Sequence, residues 1–290
     1  MNPLEVCRLV DEALDEDIGP GDMTTELVVL PGVMADGEIV SRAKGVIAGI
    51  PVAGLCFRRL DSRVSFEQIV EDGTRVAPNQ LVARMSGPAG SILKAERVAL
   101  NFMQRLSGIA TLTAKFVDAV RDYPVRILDT RKTTPGLRTL EKYAVRSGGG
   151  FNHRFALYDG ILIKDNHLKF QSVGEGERAA GGIATAVSAA KKGAGHLRKV
   201  EVEAETIEQV KEAVKAGADA ILLDNMDVDT LAEAVRIARR SNKKVILEAS
   251  GNVTIRNVGK IAAAGVDFIS VGALTHSAPA LDMSLEIRPA

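Results

Sequence analysis

The sequence predicts an α/β chain in two parts, an antiparallel α+β region followed by an α/β barrel, and three observations carry that prediction. From residue 125 onward, short runs rich in Val, Ile and Leu recur: VRILDTRK (125–132), GILIKDNH (160–167), KVEVEAET (199–206), AILLDN (220–225), KVILEASGN (244–252) and FISVGAL (268–274). Near-continuous apolar runs mark strands buried on both faces, as in a parallel sheet. Stretches between them, such as IEQVKEAVKAG and DTLAEAVRIARRS, are amphipathic at helical spacing, which makes consecutive βα units. By contrast, residues 38–85 read as short β-type runs broken by Gly, Asp and Pro.

Six or more βα units favour a barrel over a doubly wound sheet. The alternative lacks its usual mark, since no G-x-G-x-x-G follows a first strand, and polar strand ends are spread over the units instead of gathering at one switch point.

Along the chain, residues 3–16 place Leu4, Val6, Leu9, Val10, Ala13 and Leu14 mostly at helical spacing, so a helix with one packed face is expected, stopping at Asp17-Ile18-Gly19-Pro20-Gly21-Asp22. Strands follow in EIVSRAKGVIAGI, RVSFEQIV and QLVARMSG, with an apolar helix around Val52–Leu60. The turn-and-strand pattern of EDGTRVAPNQLVARMSG (71–87) is like that of a biotinyl or lipoyl module, but no lysine stands at the hairpin tip. Residues 91–121 return to helical periodicity, with an interruption expected at Gly108, and bridge to the second part. The expected domains are therefore 1–110 and 111–278, with the tail 279–290 rejoining the first.

Side chains that close parallel barrel strands converge on one rim. Asp129, Arg131, Lys132, Lys164, Glu203, Asp224, Glu248 and Ser250 are accordingly expected to face one pocket. Charge supports a small anionic ligand there. The window 126–169 holds nine Lys or Arg against four acids, while the whole chain of 290 residues balances 37 basic against 37 acidic side chains. With no global field, nucleic acid and anionic membranes are excluded as partners. No run approaches the ~20 apolar residues of a membrane span, and the acidic, amphipathic N-terminus is unlike a signal peptide, so a cytoplasmic protein is expected. Cys7 and Cys56 are isolated, outside any CxxC pair or metal-ligand spacing, and carry no assigned role.

The words DTRKTTPG (129–136), GGGFNHR (148–154), LIKDNH (162–167), VEVE (200–203), ILLDN (221–225), LEASGN (247–252) and VGALTHS (271–277), in this order and spacing, resemble the quinolinate phosphoribosyltransferase family, also called nicotinate-nucleotide pyrophosphorylases (carboxylating). EDIGPGDMTT (16–25) and ERVALNFMQRLSGIAT (96–111) extend the resemblance over nearly the whole chain. Two departures stand out: residues 169–181 look like an insertion, a surface loop with a lid as the alternative, and Ser147 occupies a position where the family often has cysteine.

The resemblance implies an N-terminal α/β sandwich domain and a C-terminal open, seven-stranded TIM-like barrel. It also implies a homodimer with a shared active site, with a hexamer built as a trimer of dimers left open. The implied reaction moves the phosphoribosyl group of phosphoribosyl pyrophosphate, with Mg²⁺, to the ring nitrogen of quinolinate; decarboxylation then gives nicotinate mononucleotide, as in NAD biosynthesis. By the same resemblance, Arg131, His153, Arg154 and Lys164 bind the quinolinate carboxylates, and Arg97 is contributed by the neighbouring subunit. Lys132 contacts the diphosphate, Glu203 and Asp224 serve the ribose and the metal, and Ser250, Gly251, Asn252, Gly272, Ala273 and His276 surround the phosphoribosyl pyrophosphate. Two cationic forks suit a ligand with two adjacent carboxylates. Read alone, Arg97 would be a solvated surface group, His153 a satisfied structural histidine and Asp224 a strand-end cap. The remaining alternatives are a phosphoribosyltransferase acting on another aromatic acid, and a Schiff-base aldolase using Lys164 or Lys132.

Overall fold

The structure, a computed structural model, describes residues 1–171 and 182–290. The expected insertion at 169–181, with its loop or lid reading, thus lies largely outside the described residues. In chain order the elements begin with helix α1 (Pro3–Ile18), α2 (Met23–Val28), strand β1 (Met34–Ser41), β2 (Gly45–Val46), α3 (Ile50–Leu60), β3 (Ser65–Gln68), β4 (Arg75–Val76) and β5 (Gln80–Pro88). Next come the long helix α4 (Ala89–Ala119), β6 (Arg126–Leu128), α5 (Arg138–Ser147), β7 (Ile161–Ile163), α6 (Asp165–Gln171) and α7 (Ile183–Gly193). The rest alternates: β8 (Val200–Ala204), α8 (Ile207–Lys215), β9 (Ala220–Asp224), α9 (Val228–Ser241), β10 (Ile246–Ser250), α10 (Val258–Ala263), β11 (Phe268–Ser270), α11 (Ala273–His276) and β12 (Met283–Pro289). No described helix is long and apolar enough to cross a membrane.

Two compact units divide the chain: the first holds Met1–Ala114, Lys132–Gly150 and Ala273–Ala290, the second Lys115–Arg131 and Phe151–Gly272. In the first, an antiparallel sheet runs β12-β1-β5-β3. The C-terminal strand β12 pairs with β1 from Ala35 opposite Pro289 to Ser41 opposite Met283. Helix α1 buries Val6, Leu9, Val10 and Leu14, and α3 buries Ile50, Val52, Ala53, Cys56 and Phe57. Burial pushes the Cys56 thiol up to about 12, so it behaves as a small apolar group.

Helix α4 runs unbroken through Gly108, contrary to the interruption expected there. The glycine serves close packing: a Cβ at 108 would collide with the Pro279 carbonyl oxygen and come within 2.9 Å of the Pro279 carbonyl carbon. Backbone of the C-terminal segment thus lies directly on the helix, and Leu281 N–H donates to the Gln104 carbonyl at 2.9 Å. The Gly148-Gly149-Gly150 run has a similar origin. A Cβ at Gly148 would collide with the Ala110 carbonyl oxygen, one at Gly150 would lie 2.7 Å from Thr113 Cγ2, and Gly149 has φ of +85°. These glycines let the end of α5 turn tightly against α4.

The second unit carries a parallel sheet of order β6-β11-β10-β9-β8-β7. Its interior strand β9 shows the burial expected of a strand covered on both faces, with Ala220 to Leu223 all buried. Helix α8 starts in a capping box of Thr206 and Gln209, and Asp227 caps α9. Among the described residues six strands form the ladder, where the resemblance implied seven. Phe151 supplies the seventh position as a single parallel bridge to Leu128. Its N–H donates to the Ile127 carbonyl at 2.8 Å and its carbonyl accepts from Asp129 N–H at 3.1 Å. The run goes no further because the next two residues are drawn to a side chain. Asn152 Nδ2 donates to Asp129 Oδ2 at 2.6 Å and His153 N–H to Asp129 Oδ1 at 2.9 Å.

Candidate active site

The polar residues of the second unit gather where its parallel strands end, around β8. Side chains alternate along a strand, so Glu201, Glu203 and Glu205 fall on one side of the chain while Val200, Val202 and Ala204 fall on the other, in the buried core. The three carboxylates meet different partners at successive levels. Glu201 lies with His153 and Glu248, Glu203 pairs with Lys164, and Glu203 and Glu205 come together with Asp224.

At the first of these levels, His153 Nε2 lies 3.3 Å from Glu201 Oε2 and 3.5 Å from Glu248 Oε1. His153 Nδ1 accepts the Arg154 N–H at 2.7 Å, which places the ring proton on Nε2, toward the carboxylates. Asp129 and Glu248, both expected on the rim, are instead buried, at 0% and 3% exposure. Their role in the fold explains this: Asp129 accepts the two hydrogen bonds that shape residues 151–153, and Glu248 backs His153. Burial, reinforced by the neighbouring Glu201 charge, pushes the Glu248 carboxyl up to about 7, while His153 acts in the opposite direction.

Two guanidinium groups stand near this cluster. Arg154 is held below its ordinary value first by desolvation and then by the nearby charge of Arg131, with Glu201 opposing. Its Nη1 donates to the Gly160 carbonyl at 2.9 Å, which fixes the fork. Lys164, at the end of β7, reaches Glu203 Oε2 at 2.7 Å, with the lysine about half exposed and the carboxylate buried. At the top level, the carboxylates of Glu203, Glu205 and Asp224 lie within 4.8 Å of one another. Three hard oxygen donors in that space fit a divalent cation such as Mg²⁺.

Beside Asp224, a small backbone device closes β9 and β10. Asn225 takes φ of +54° and Gly251 of +92°. Asn225 N–H donates to the Ser250 carbonyl at 3.0 Å, its Nδ2 to Asp224 Oδ2 at 2.7 Å, and its Oδ1 accepts from Asn252 Nδ2 at 3.1 Å. Ser250, Gly251 and Asn252 are thus joined to Asp224 through one asparagine. Gly272 follows β11 in the same unit.

The remaining sequence-predicted residues belong to the first unit. Arg97 is exposed on α4, Lys132 and His276 are exposed, and Ala273 opens α11. The Lys132 carbonyl accepts the Thr275 hydroxyl at 2.8 Å, and His276 Nδ1 lies 2.6 Å from Ser277 Oγ. Sequence reasoning passed over Glu201, Glu205, Asn152 and Asn225. A signal was present for the first two, since acids at every second position of an otherwise apolar strand must share one face. Asn152 and Asn225 gave none, because each acts through a turn.

Residues 109–286 match the family model for the quinolinate phosphoribosyl transferase C-terminal domain, and residues 22–107 match that for the N-terminal domain. A protein from Bacillus subtilis (strain 168), named probable nicotinate-nucleotide pyrophosphorylase (carboxylating), is 43% identical over 287 residues, covering 99% of this chain and 95% of the relative. A protein of the same name from a Synechocystis strain is 45% identical over 276 residues, covering 94% and 90%. Among solved structures, the nicotinate-nucleotide pyrophosphorylase from Francisella tularensis superposes with a TM-score of 0.90 at 40% identity, covering 99% of this chain and 98% of that one. With both domain models matched in order and relatives aligned over nearly their full length, the chain belongs to the quinolinate phosphoribosyl transferase family.

Proposed function

We infer that this chain transfers the phosphoribosyl group of phosphoribosyl pyrophosphate to the ring nitrogen of quinolinate and releases CO₂ and diphosphate, giving nicotinate mononucleotide. The observation that carries this reading is the neighbouring Arg131 and Arg154 beside Glu201, which groups with His153 and Glu248. Like charges held close together and partly desolvated raise each other's energy, and a ligand with two adjacent carboxylates relieves both. Lys164 adds a third cation, and His153 lines the same cluster.

In the transfer step the bond from ring nitrogen to C1 of ribose forms while the bond from C1 to the diphosphate oxygen breaks. Positive charge grows on the ribose, and Glu203 and Asp224 are suited to stabilise it. Lys132 is assigned to the departing diphosphate. Ser250, Gly251, Asn252, Gly272, Ala273 and His276 are assigned to the phosphoribosyl pyrophosphate, where backbone N–H groups can hold phosphate. The nucleophile and leaving group both come from substrates, so no side chain need act covalently. After transfer the ring nitrogen is cationic, the C2–carboxylate bond breaks to release CO₂, and C2 takes up a proton.

Mg²⁺ is part of the same proposal. Glu203 and Asp224, with Glu205 as a further donor, would hold it, and when bound it would supply positive charge to the diphosphate. A homodimer that shares sites through Arg97, with a hexamer as a higher assembly, and a cytoplasmic location complete the reading. The Schiff-base alternative is disfavoured by the pairing of Lys164 with Glu203, since such a lysine needs mainly apolar surroundings. Incubation with quinolinate, phosphoribosyl pyrophosphate and Mg²⁺, following CO₂ and diphosphate, tests the reading. Faster turnover of nicotinate, or no product above background, would overturn it.

A further inference from the structure

The buried carboxylate of Glu141, on α5, is fully removed from solvent, and the guanidinium of Arg105 on α4 pairs with it. Arg105 Nη2 and Nε donate to Glu141 Oε1 at 2.7 and 3.2 Å. The same side chain also holds main chain from the C-terminal segment: it donates to the Thr275 carbonyl from Nη2 and to the Ala278 carbonyl from Nη1 at 3.2 Å. Glu141 in turn fixes the loop after Lys132, accepting the Thr134 hydroxyl at 2.8 Å and the Thr134 N–H at 3.1 Å. The Thr275 hydroxyl closes the circuit by donating to the Lys132 carbonyl at 2.8 Å.

Two segments distant in sequence, 132–134 and 275–278, are thereby tied to each other and to one ion pair. Each presents a cationic or ionisable side chain next to its anchored backbone, Lys132 in one and His276 in the other. Arg105 also lines a cavity of about 210 Å³ together with Phe102, Leu106, Leu137 and Leu140 and the acidic Glu16 and Asp17, while Glu141 lies fully buried behind it. Burial of the carboxylate strengthens a satisfied ion pair and makes a broken one costly. An arginine is required for geometry as well as charge: one planar fork serves a carboxylate and two carbonyls at once, which a lysine ammonium on a flexible stem does not reproduce.

We propose that Arg105, anchored by Glu141, is a positioning residue that fixes Lys132 and His276 relative to each other for phosphoribosyl pyrophosphate. The proposal rests on the functional reading above, which assigns those two side chains to that substrate. It separates the two substrates, because the tied segments carry no residue assigned to quinolinate.

The test compares Thr275→Val, Arg105→Lys, Arg105→Met and Glu141→Gln with the wild-type chain. For each, both KM values, the thermal midpoint and calorimetric affinity for phosphoribosyl pyrophosphate are measured. Loss of one hydrogen bond in Thr275→Val should weaken phosphoribosyl pyrophosphate by about fivefold, leaving quinolinate KM and the thermal midpoint close to wild type. Arg105→Met should weaken it further, with Arg105→Lys recovering part of the loss. Equal rises in both KM values, or unchanged affinity in Thr275→Val and Arg105→Lys, would overturn the inference. Should Arg105→Met fail to fold, Thr275→Val decides, since it removes a single hydroxyl. Absence of phosphoribosyl pyrophosphate binding by the wild type would defeat the functional reading itself, whereas binding that no variant weakens would defeat the positioning role alone.

Discussion

His153 Nε2 stands 3.5 Å from Glu248 Oε1, a buried carboxylate oxygen without a hydrogen-bond partner among the described residues. Glu248 faces Glu201, His153, Ser270 and Asp129. Because burial raises its folded-state value from 4.5 to about 7, the native state binds the proton more tightly than the unfolded chain. Stability from this group is fully present below about pH 4.5 and is lost as pH rises through about 7. Glu248→Gln cannot titrate, so its stability relative to wild type should grow between pH 5 and pH 8, by on the order of 2–3 kcal/mol. Urea unfolding midpoints at four pH values check this, and parallel curves for the two proteins would refute it.

Gly251 is the second point of test. A Cβ there would overlap Asn225 Oδ1 and come within 2.8 Å of Asn225 N, at a backbone φ of +92°. Gly251→Ala must displace the asparagine that holds Asp224. The strain is about 1–3 kcal/mol, and KM for phosphoribosyl pyrophosphate should rise by tenfold or so. Steady-state kinetics over a range of Mg²⁺ concentrations would measure it; unchanged kinetics would separate Asn225 from the site.

Gly108 tests packing alone. Gly108→Ala sets a methyl group against the Pro279 carbonyl, which is backbone and cannot swing aside. A loss of about 3 kcal/mol or more is expected, read as a fall in the denaturation midpoint. A midpoint within a degree of wild type would show that the C-terminal segment lifts from α4 at little cost.

Arg97 is exposed on α4, and its assigned role lies in a neighbouring subunit. Mixing inactive Arg97→Ala and Lys132→Ala chains should restore activity to roughly a quarter of wild type, because half of a random mixture is mixed dimers, each with one intact site. Verified subunit exchange without any recovery would place Arg97 in its own chain's site or outside it.

The parallel half of the fold was legible because strands buried on both faces leave unbroken apolar runs, and because polar residues such as Lys164 and Asp224 mark where those runs end. The helix through Gly108 was misread for a reason that local sequence cannot reveal: the residue that demands a glycine is Pro279, 171 positions away. Phe151 was hidden for the opposite reason, since a one-residue bridge has no periodicity. At the candidate site, charge type survived in the sequence while depth did not. Asp129 and Glu248 looked like rim residues, yet their partners, the Asn152 side-chain amide and His153 N–H for the one and the imidazole of His153 for the other, draw them inside.

The spacing of acids on β8 bears on how this chain can change in length. Glu201 and Glu203 on the strand and Glu205 just past its end meet a histidine, a lysine and an aspartate in turn, so the strand works as a graduated scale along its length. Adding or removing one residue within 200–205 would turn part of the scale to the opposite face, placing carboxylates where the valines pack. Insertions and deletions can therefore be absorbed between the strands, whereas β8 itself admits substitution but no change of count.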